Sequence, residues 1–450
     1  MLIRGLRSWA LAVASSTIVT TACAQWSGSP DAANLICTTT VNQLTQFTTD
    51  GQGGAIFSWN GKDGNSADVV LAQRLDADGI AQWGPGGIAI NPGTPGFTLG
   101  APQRDANGGA FIPWASYVPY NYYSIRVQHV NRDGLPLLPG DGIELLLESS
   151  VGLWENFLSD NQGGALLVWF RQGNLHIKHI DSSGAVNWTY DAAEPDPAMD
   201  LATLADGEGG VFICWRSRDK SIRTQHVNKY GNAVWPAVGK LLSTDGEIPA
   251  IAPDGSGGAI FTWLDFRDVG VATGHAYAQR LDAAGNSLWA TNGLRISSSQ
   301  DTQFFTYPVS DGKGGATVGY SSYNSETYLT DVRVQRISSK GKLLWSSLGK
   351  LLSRPNSSQY ITSAVPDGAN GAIVFWHSGQ SLFAQRVNSL GMTQWFPRTG
   401  ILCVQNDISS VATLNDPTGG AFYGWNVSRD NVVSIFVNRI SSRGRLGSTH

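Results

Sequence analysis

The chain has little charge: Asp, Glu, Lys and Arg make up 15% of its 450 residues, and the formal net charge is −4. No run of like charges occurs, so the electrostatic footprint of a nucleic-acid or anionic-membrane binder is missing and no nucleic-acid partner is expected. Cysteine is scarce too, with four residues and no C-x-x-C spacing, which argues against a zinc site. Beyond the first two dozen residues no apolar run is long enough to span a bilayer. Glycine, at 53, and tryptophan, at 16, are abundant instead, and turn formers and large rings in the absence of Lys- and Glu-rich stretches indicate an all-β protein.

The first 24 residues stand apart. Arg4 and Arg7 precede an apolar stretch from Trp9 to Ala22, and Ala22-Cys23-Ala24 fits a small-x-small cleavage site. Residues 1–24 therefore read as a signal peptide, and residues 25–450 as one exported domain, whether secreted, periplasmic or held at the cell surface. An uncleaved anchor and a lipoprotein attached through Cys23 are the alternatives. The apolar stretch is short for the first, and Thr20 stands where the second wants an aliphatic residue. Three cysteines, Cys37, Cys214 and Cys403, would remain after cleavage, far apart in sequence. One disulfide with a free thiol is open to them, as is burial as small hydrophobes.

A short run, Asp-x-x-Gly-Gly and then an aromatic five residues on, begins at Asp50, Asp105, Asp160, Asp206, Asp254, Asp311, Asp367 and Asp416. Its fourth position is Asn370 in the seventh copy. The aromatic is Trp59, Trp114, Trp169, Trp215, Trp263, Trp376 or Trp425, and Tyr320 in the sixth copy. Apolar β-formers lie between glycine and aromatic, so each run is a turn followed by a strand. Asp, a free second position and a fourth residue tolerating positive φ predict a type I turn with a glycine bulge. That makes the aspartate a turn former in preference to a calcium ligand.

A second element follows after a variable gap: Arg or His, then glycine five residues on, then tryptophan four beyond that. The basic residues are Arg74, His129, His179, His226, Arg280, Arg336, Arg386 and Arg439. Each is followed two residues later by Asp, Asn or Ser, so a second type I turn is expected, with a return strand carrying Trp83, Trp188, Trp235, Trp289, Trp345 and Trp395, or Leu138 in the second copy. Two hairpins repeated eight times predict an eight-bladed β-propeller of four-stranded antiparallel blades. The last copy reaches Ser448-Thr449-His450 where its fourth strand is due, and the missing piece has a counterpart near the front. Trp26 and Asn34-Leu35-Ile36-Cys37 match Trp395 and Gly400-Ile401-Leu402-Cys403. The N-terminal strand is thus expected to close the ring, and fourteen of the sixteen tryptophans then fall on two repeat positions, Trp9 and Trp154 excepted.

The second hairpin, as in Leu281-Asp282-Ala283-Ala284-Gly285-Asn286-Ser287-Leu288-Trp289, resembles the tryptophan-docking repeat of pyrroloquinoline-quinone-type eight-bladed propellers. The first hairpin and the Ala-Gln-Arg runs at 72–74, 278–280 and 384–386 look like repeats of uncharacterised secreted bacterial proteins. These likenesses cover residues 25–450 and imply a fold, not an activity. The adjacent cysteines of many quinone enzymes are missing, and no acidic cluster departs from the repeat, so no cofactor, metal or catalytic residue is expected. His129, His179 and His226 recur at one position in three consecutive copies, but Arg takes that place elsewhere, which points to a structural cation.

Residues off the repeat are left to carry function. They lie in the connections between the two hairpins, which the repeat places on one rim: Tyr117, Tyr120, Tyr122 and Tyr123 in copy 2; Asp265, Phe266, Arg267 and Asp268 in copy 5; Tyr323 and Tyr328 in copy 6. Loops that vary on a repeating scaffold are where binding specificity sits. The expectation is a monomeric, non-enzymatic propeller recognising a glycan or an extracellular protein through that rim, the alternative being an enzyme working in the axial channel, either a glycan hydrolase or lyase or a quinone-type dehydrogenase.

Overall fold

The computed structural model describes residues 26–30, 34–39, 46–62, 67–119, 122–148, 155–192, 197–267, 273–352, 357–405, 408, 410–429 and 432–447. The expected leader, with Cys23, lies outside them, as do Tyr120, Trp154 and Asp268. The described elements are all β-strands, arranged in eight antiparallel sheets. Blade 1 shows the plan: Gln46–Thr49, Ala55–Lys62, Asp68–Leu75 and Ile88–Ala89 pair in chain order. In blade 2 the first strand is broken into Phe97–Thr98 and Gln103–Arg104, both paired with Ala110–Val118.

The first strands of successive blades touch one another, and the last of them, Ser410–Asn415, touches Gln46–Thr49 of blade 1, so these strands line the axis of a closed ring. The ring is zipped as the sequence predicts. Asn34–Thr39 pairs with Val432–Ile440 as the outermost strand of blade 8. This closure gives blade 8 its fourth strand, as in the other described blades. The core is divided among the blade interfaces. At the closing one, Trp26, Val433, Ile435 and Val437 pack with Phe57 and Trp59 of blade 1.

In each blade the turn aspartate does two jobs. In blade 1, Asp50 Oδ1 accepts the amides of Gln52 and Gly54, both at 2.8 Å, and its Oδ2 accepts from Arg74 Nη2 at 2.7 Å. Corresponding ion pairs join Asp105 to His129, Asp160 to His179, Asp206 to His226, Asp254 to Arg280, Asp311 to Arg336, Asp367 to Arg386 and Asp416 to Arg439. The cation's partner is thus the aspartate of its own blade. Its remaining nitrogens reach the next blade, as Arg386 Nη1 does to Ser442 O at 2.8 Å and Arg439 Nη1 to Ala77 O at 3.2 Å.

The side-chain cap changes the turn itself. A type I turn keeps its second residue near φ −60°, yet Gly51, Asn161, Gly207, Gly255, Gly312 and Gly368 have φ between 61° and 83°. The second position is therefore not a free choice, and only the copies with Ala106 and Pro417 stay out of the left-handed region. The carboxylate supplies the closure that the backbone bond gives in a type I turn. The fourth position is left-handed as expected, including Asn370 at 62°. The fifth glycine has a different cause: a Cβ on Gly54 would lie 2.2 Å from Leu75 O of the second hairpin.

The second hairpin also departs from expectation. The return segment makes one bridge, such as Leu75↔Ala81, and then leaves the ladder at tryptophan. The glutamine of Ala-Gln-Arg bridges the gap. Gln279 Oε1 accepts the amides of Arg280 and Trp289, and its Nε2 donates to Ala290 O at 2.6 Å. Released from the ladder, the tryptophan docks on the next blade, where Trp289 Nε1 donates to Ser339 O at 3.1 Å and the ring covers Gly341. Trp26 makes the same contact from blade 8 to Ala77 O of blade 1 at 2.7 Å. Blade 3 has Lys178 in place of glutamine, and there Trp188 stays in a seven-residue strand, Val186–Ala192, that is bulged at Asn187. At that interface Trp188 Nε1 and His179 Nδ1 are buried without partners, and His179 lines a cavity of about 250 Å3. Cys214 and Cys403 are buried as free thiols; the side chain of Cys37 lies outside the described set.

Candidate functional site

Both glycine turns of every blade lie on one face of the ring, so the hairpins joining the second and third strands form the other face together with the starts of the innermost strands. These hairpins differ in reach. In blades 2, 6 and 8 both strands run to nine residues, whereas blades 3, 5 and 7 use seven. The longer hairpins project, and the residues singled out on blades 2 and 6 sit on two of them, diametrically opposed across an eight-membered ring.

On blade 2, Tyr117 and Tyr123 are cross-strand partners with ring centroids 4.9 Å apart. Phe97, on the connection entering the blade, joins them at 5.5 Å from Tyr117 and edge-on at 6.3 Å from Tyr123. Tyr117 is nevertheless 71% exposed, and Tyr122 beside it 38%. The result is an aromatic ledge whose outer ring is held in place from beneath. Phe97 was not among the sequence candidates, because it lies before the repeat's aspartate and not between the hairpins.

The blade 5 residues are arranged differently. Asp265 is buried and accepts from Ser243 Oγ and Trp263 Nε1, each at 2.7 Å, and from Arg267 Nε at 2.6 Å. Burial is the largest influence on this carboxyl and pushes it upward, but the bonds from Arg267, Trp263 and Ser243 together outweigh it and hold the pKa below the usual value. Arg267 lies over the Tyr277 ring at 4.6 Å and donates to Asn292 O, while Phe266 packs into the partly buried margin of the core. The group clamps its own hairpin. On blade 6, Tyr328 is 75% exposed at a hairpin tip with φ +58°, and Tyr323 is partly buried.

A second feature of this face lies nearer the axis, over blades 6, 7 and 8. The innermost strands of blades 4 to 7 each carry a bulge, at Asp200, after Glu247, at Phe305 and at Thr362. Asp200, Ile248 and Phe305 are left-handed there, an uncommon state for non-glycine residues and a rare one for a β-branched or aromatic residue. Below the last two bulges is a hollow of about 640 Å3, lined by residues including Phe305, Tyr307, Tyr360, Thr362, His377 and Ser410. Its signal in the sequence is the aromatic residues before the aspartate in copies 6 and 7, outside the connections between the two hairpins.

No family model and no curated protein matches the sequence. Among solved structures, the chain is similar to the β-propeller domain of the Trilobed protease from Pyrococcus furiosus, at 10% identity and a TM-score of 0.42, over 76% of this chain and 94% of that one. It is also similar to Penicillium chrysogenum α-L-arabinanase complexed with arabinobiose, at 15% identity and 0.38, over 61% and 89%, and to TolB from Acinetobacter baumannii, at 14% and 0.31, over 75% and 78%. Likeness at this level concerns the propeller fold and leaves function to the site.

Proposed function

We propose that this chain is an exported, non-catalytic binding propeller that holds a glycan against its hairpin face. The observation carrying the reading is the blade 2 ledge, where Tyr117 is open to solvent while Phe97 and Tyr123 fix its ring. A tyrosine held in this way offers a large amphipathic plane at low entropic cost, suited to stacking on the C–H face of a sugar while its hydroxyl stays wet. Tyr122 widens the same surface. The test is binding of the full chain to a panel of surface and matrix glycans, with Y117A/Y123A as the variant. Loss of binding at unchanged melting temperature supports the reading. Undiminished binding by the variant, or turnover of a glycan by the wild type, overturns it.

A further inference from the structure

On the face opposite the ledge, each second hairpin turns at a glycine flanked by two residues. In blade 6 these are Lys340 and Lys342, in blade 7 Leu390 and Met392, and in blade 8 Arg443 and Arg445. No other blade has a cation at either position, and no other has apolar residues at both. All six side chains are exposed, Leu390 at 70% and Met392 at 52%, and Phe396, just after the docking tryptophan of blade 7, is 90% exposed. The three turns abut. Gly391 lies over Trp345 of blade 6, with Lys350 Cε 3.1 Å from where a Cβ would stand, and Gly444 lies over Trp395 and Ile401 of blade 7. Phe396 therefore emerges beside the Arg443–Arg445 turn.

We propose that this shoulder docks the protein on a bilayer containing anionic phospholipid. Segments 338–351, 388–402 and 441–447 add Lys350 and Arg398 to the four turn cations and contain no Asp or Glu. The aspartates of the neighbouring first turns, Asp311, Asp367 and Asp416, are each held in an ion pair. The charge is thus of one sign and matches lipid phosphate. It forms no run in the sequence because the turns are about fifty residues apart, and the ring sets them side by side. The apolar residues stand on a turn tip and not in a groove, which suits insertion among headgroups with cations on either side. A soluble polyanion would meet the cations and gain nothing from the apolar tip between them. Docking by this shoulder leaves the hairpin face directed away from the bilayer.

The experiment is cosedimentation of residues 25–450, which contain every described strand, with vesicles of phosphatidylcholine alone or with about 30% phosphatidylglycerol. Binding should be at least about tenfold tighter to the anionic vesicles, and should weaken as ionic strength rises from about 0.1 M to about 1 M. At about fivefold per basic residue near the surface, K340Q/K342Q/R443Q/R445Q should lose at least about a hundredfold. L390S/M392S/F396S should lose at least about tenfold, because apolar insertion adds to the electrostatic attraction. Both variants alter exposed side chains and should melt as the wild type does. I80S, at the Met392 position of blade 1, and Y117A/Y123A should bind as the wild type does. Failure to bind anionic vesicles, equal binding to phosphatidylcholine alone, or full binding by either shoulder variant overturns the proposal. Retention on heparin without vesicle binding also overturns it and assigns the face to a soluble polyanion. Loss of vesicle binding in Y117A/Y123A at an unchanged melt would place the contact on the ledge and sink the proposal as well.

Discussion

Arg439 sits where the ring closes, and replacing it tests how the closure is held. Its side chain and that of Asp416 are 1% and 0% exposed. Nε donates to Asp416 Oδ2 at 2.6 Å, Nη2 to Thr418 Oγ1 at 2.9 Å and Nη1 to Ala77 O of blade 1 at 3.2 Å, with the guanidinium over Phe422 at 5.4 Å. R439Q keeps some length and polarity but strands a buried carboxylate, and breaking a buried pair in this way costs about 3–5 kcal/mol. An unfolding entropy of about 2.1 cal/mol/K per residue gives this chain roughly 0.9 kcal/mol/K, so the melting temperature should fall by about 3–6 °C. The control is K62Q, whose pair with Asp68 is 51% and 59% exposed; it should move the melt by less than about 1 °C. D416N/R439Q should recover part of the loss, because an asparagine oxygen can still accept the Thr418 amide while no buried charge is left. Scanning calorimetry at neutral pH decides the matter. An R439Q melt within about 1 °C of wild type, or a double variant less stable than R439Q, would refute the reasoning.

Two further outcomes follow from the blade repeat. At Asp105, Asp160 and Asp206 burial is the largest influence and raises the pKa, but hydrogen bonds from His129, His179 and His226 and from turn amides hold each below the ordinary 3.8. A carboxyl depressed on folding stabilises above its unfolded pKa and loses that contribution as pH falls through the folded value, so stability should decline below about pH 4. The urea midpoint of D105N/D160N/D206N should depend less on pH there than that of wild type, and equal slopes would count against the turn-cap account. In blade 5, Q279A should lower stability by about 1–3 kcal/mol by leaving the Trp289 amide without its acceptor, measured as a shift in urea midpoint at constant m.

Most of the scaffold was legible because it is repetitive. The spacing from aspartate to aromatic and from cation to tryptophan is written eight times, and a defect in one copy is readable against the others. The match of Asn34-Leu35-Ile36-Cys37 to the seventh copy's outer strand therefore marks the closure in the sequence itself. The turn type was misjudged because dihedral angles follow from a side-chain bond. Asp50 Oδ1, on the Gln52 and Gly54 amides, lets Gly51 turn left-handed. The glutamine that precedes the cation in six of the eight copies is plain in the sequence, but its bond to the amide of a tryptophan ten residues on, as from Gln279 to Trp289, exists only once the hairpin has folded.

The candidate sites divide along the same line. Off-repeat tyrosines in blade 2 could be picked from the sequence as free of the scaffold, and the structure adds that Phe97 props them. Asp265 looked equally free, yet it is buried under Arg267, Trp263 and Ser243, a fact set by where the neighbouring outer strand passes. The hollow left only a faint trace in the sequence, the aromatic residues before the aspartate in copies 6 and 7, because its wall comes from three blades. Local pattern fixes turns, strands, their number and the zip that joins the ends, since each is a relation between near neighbours or repeated copies. Which off-repeat side chains face solvent, and which meet across blades to line a common hollow, as Phe305, Tyr360 and Ser410 do, is decided only when the ring closes and brings residues a hundred positions apart to one mouth.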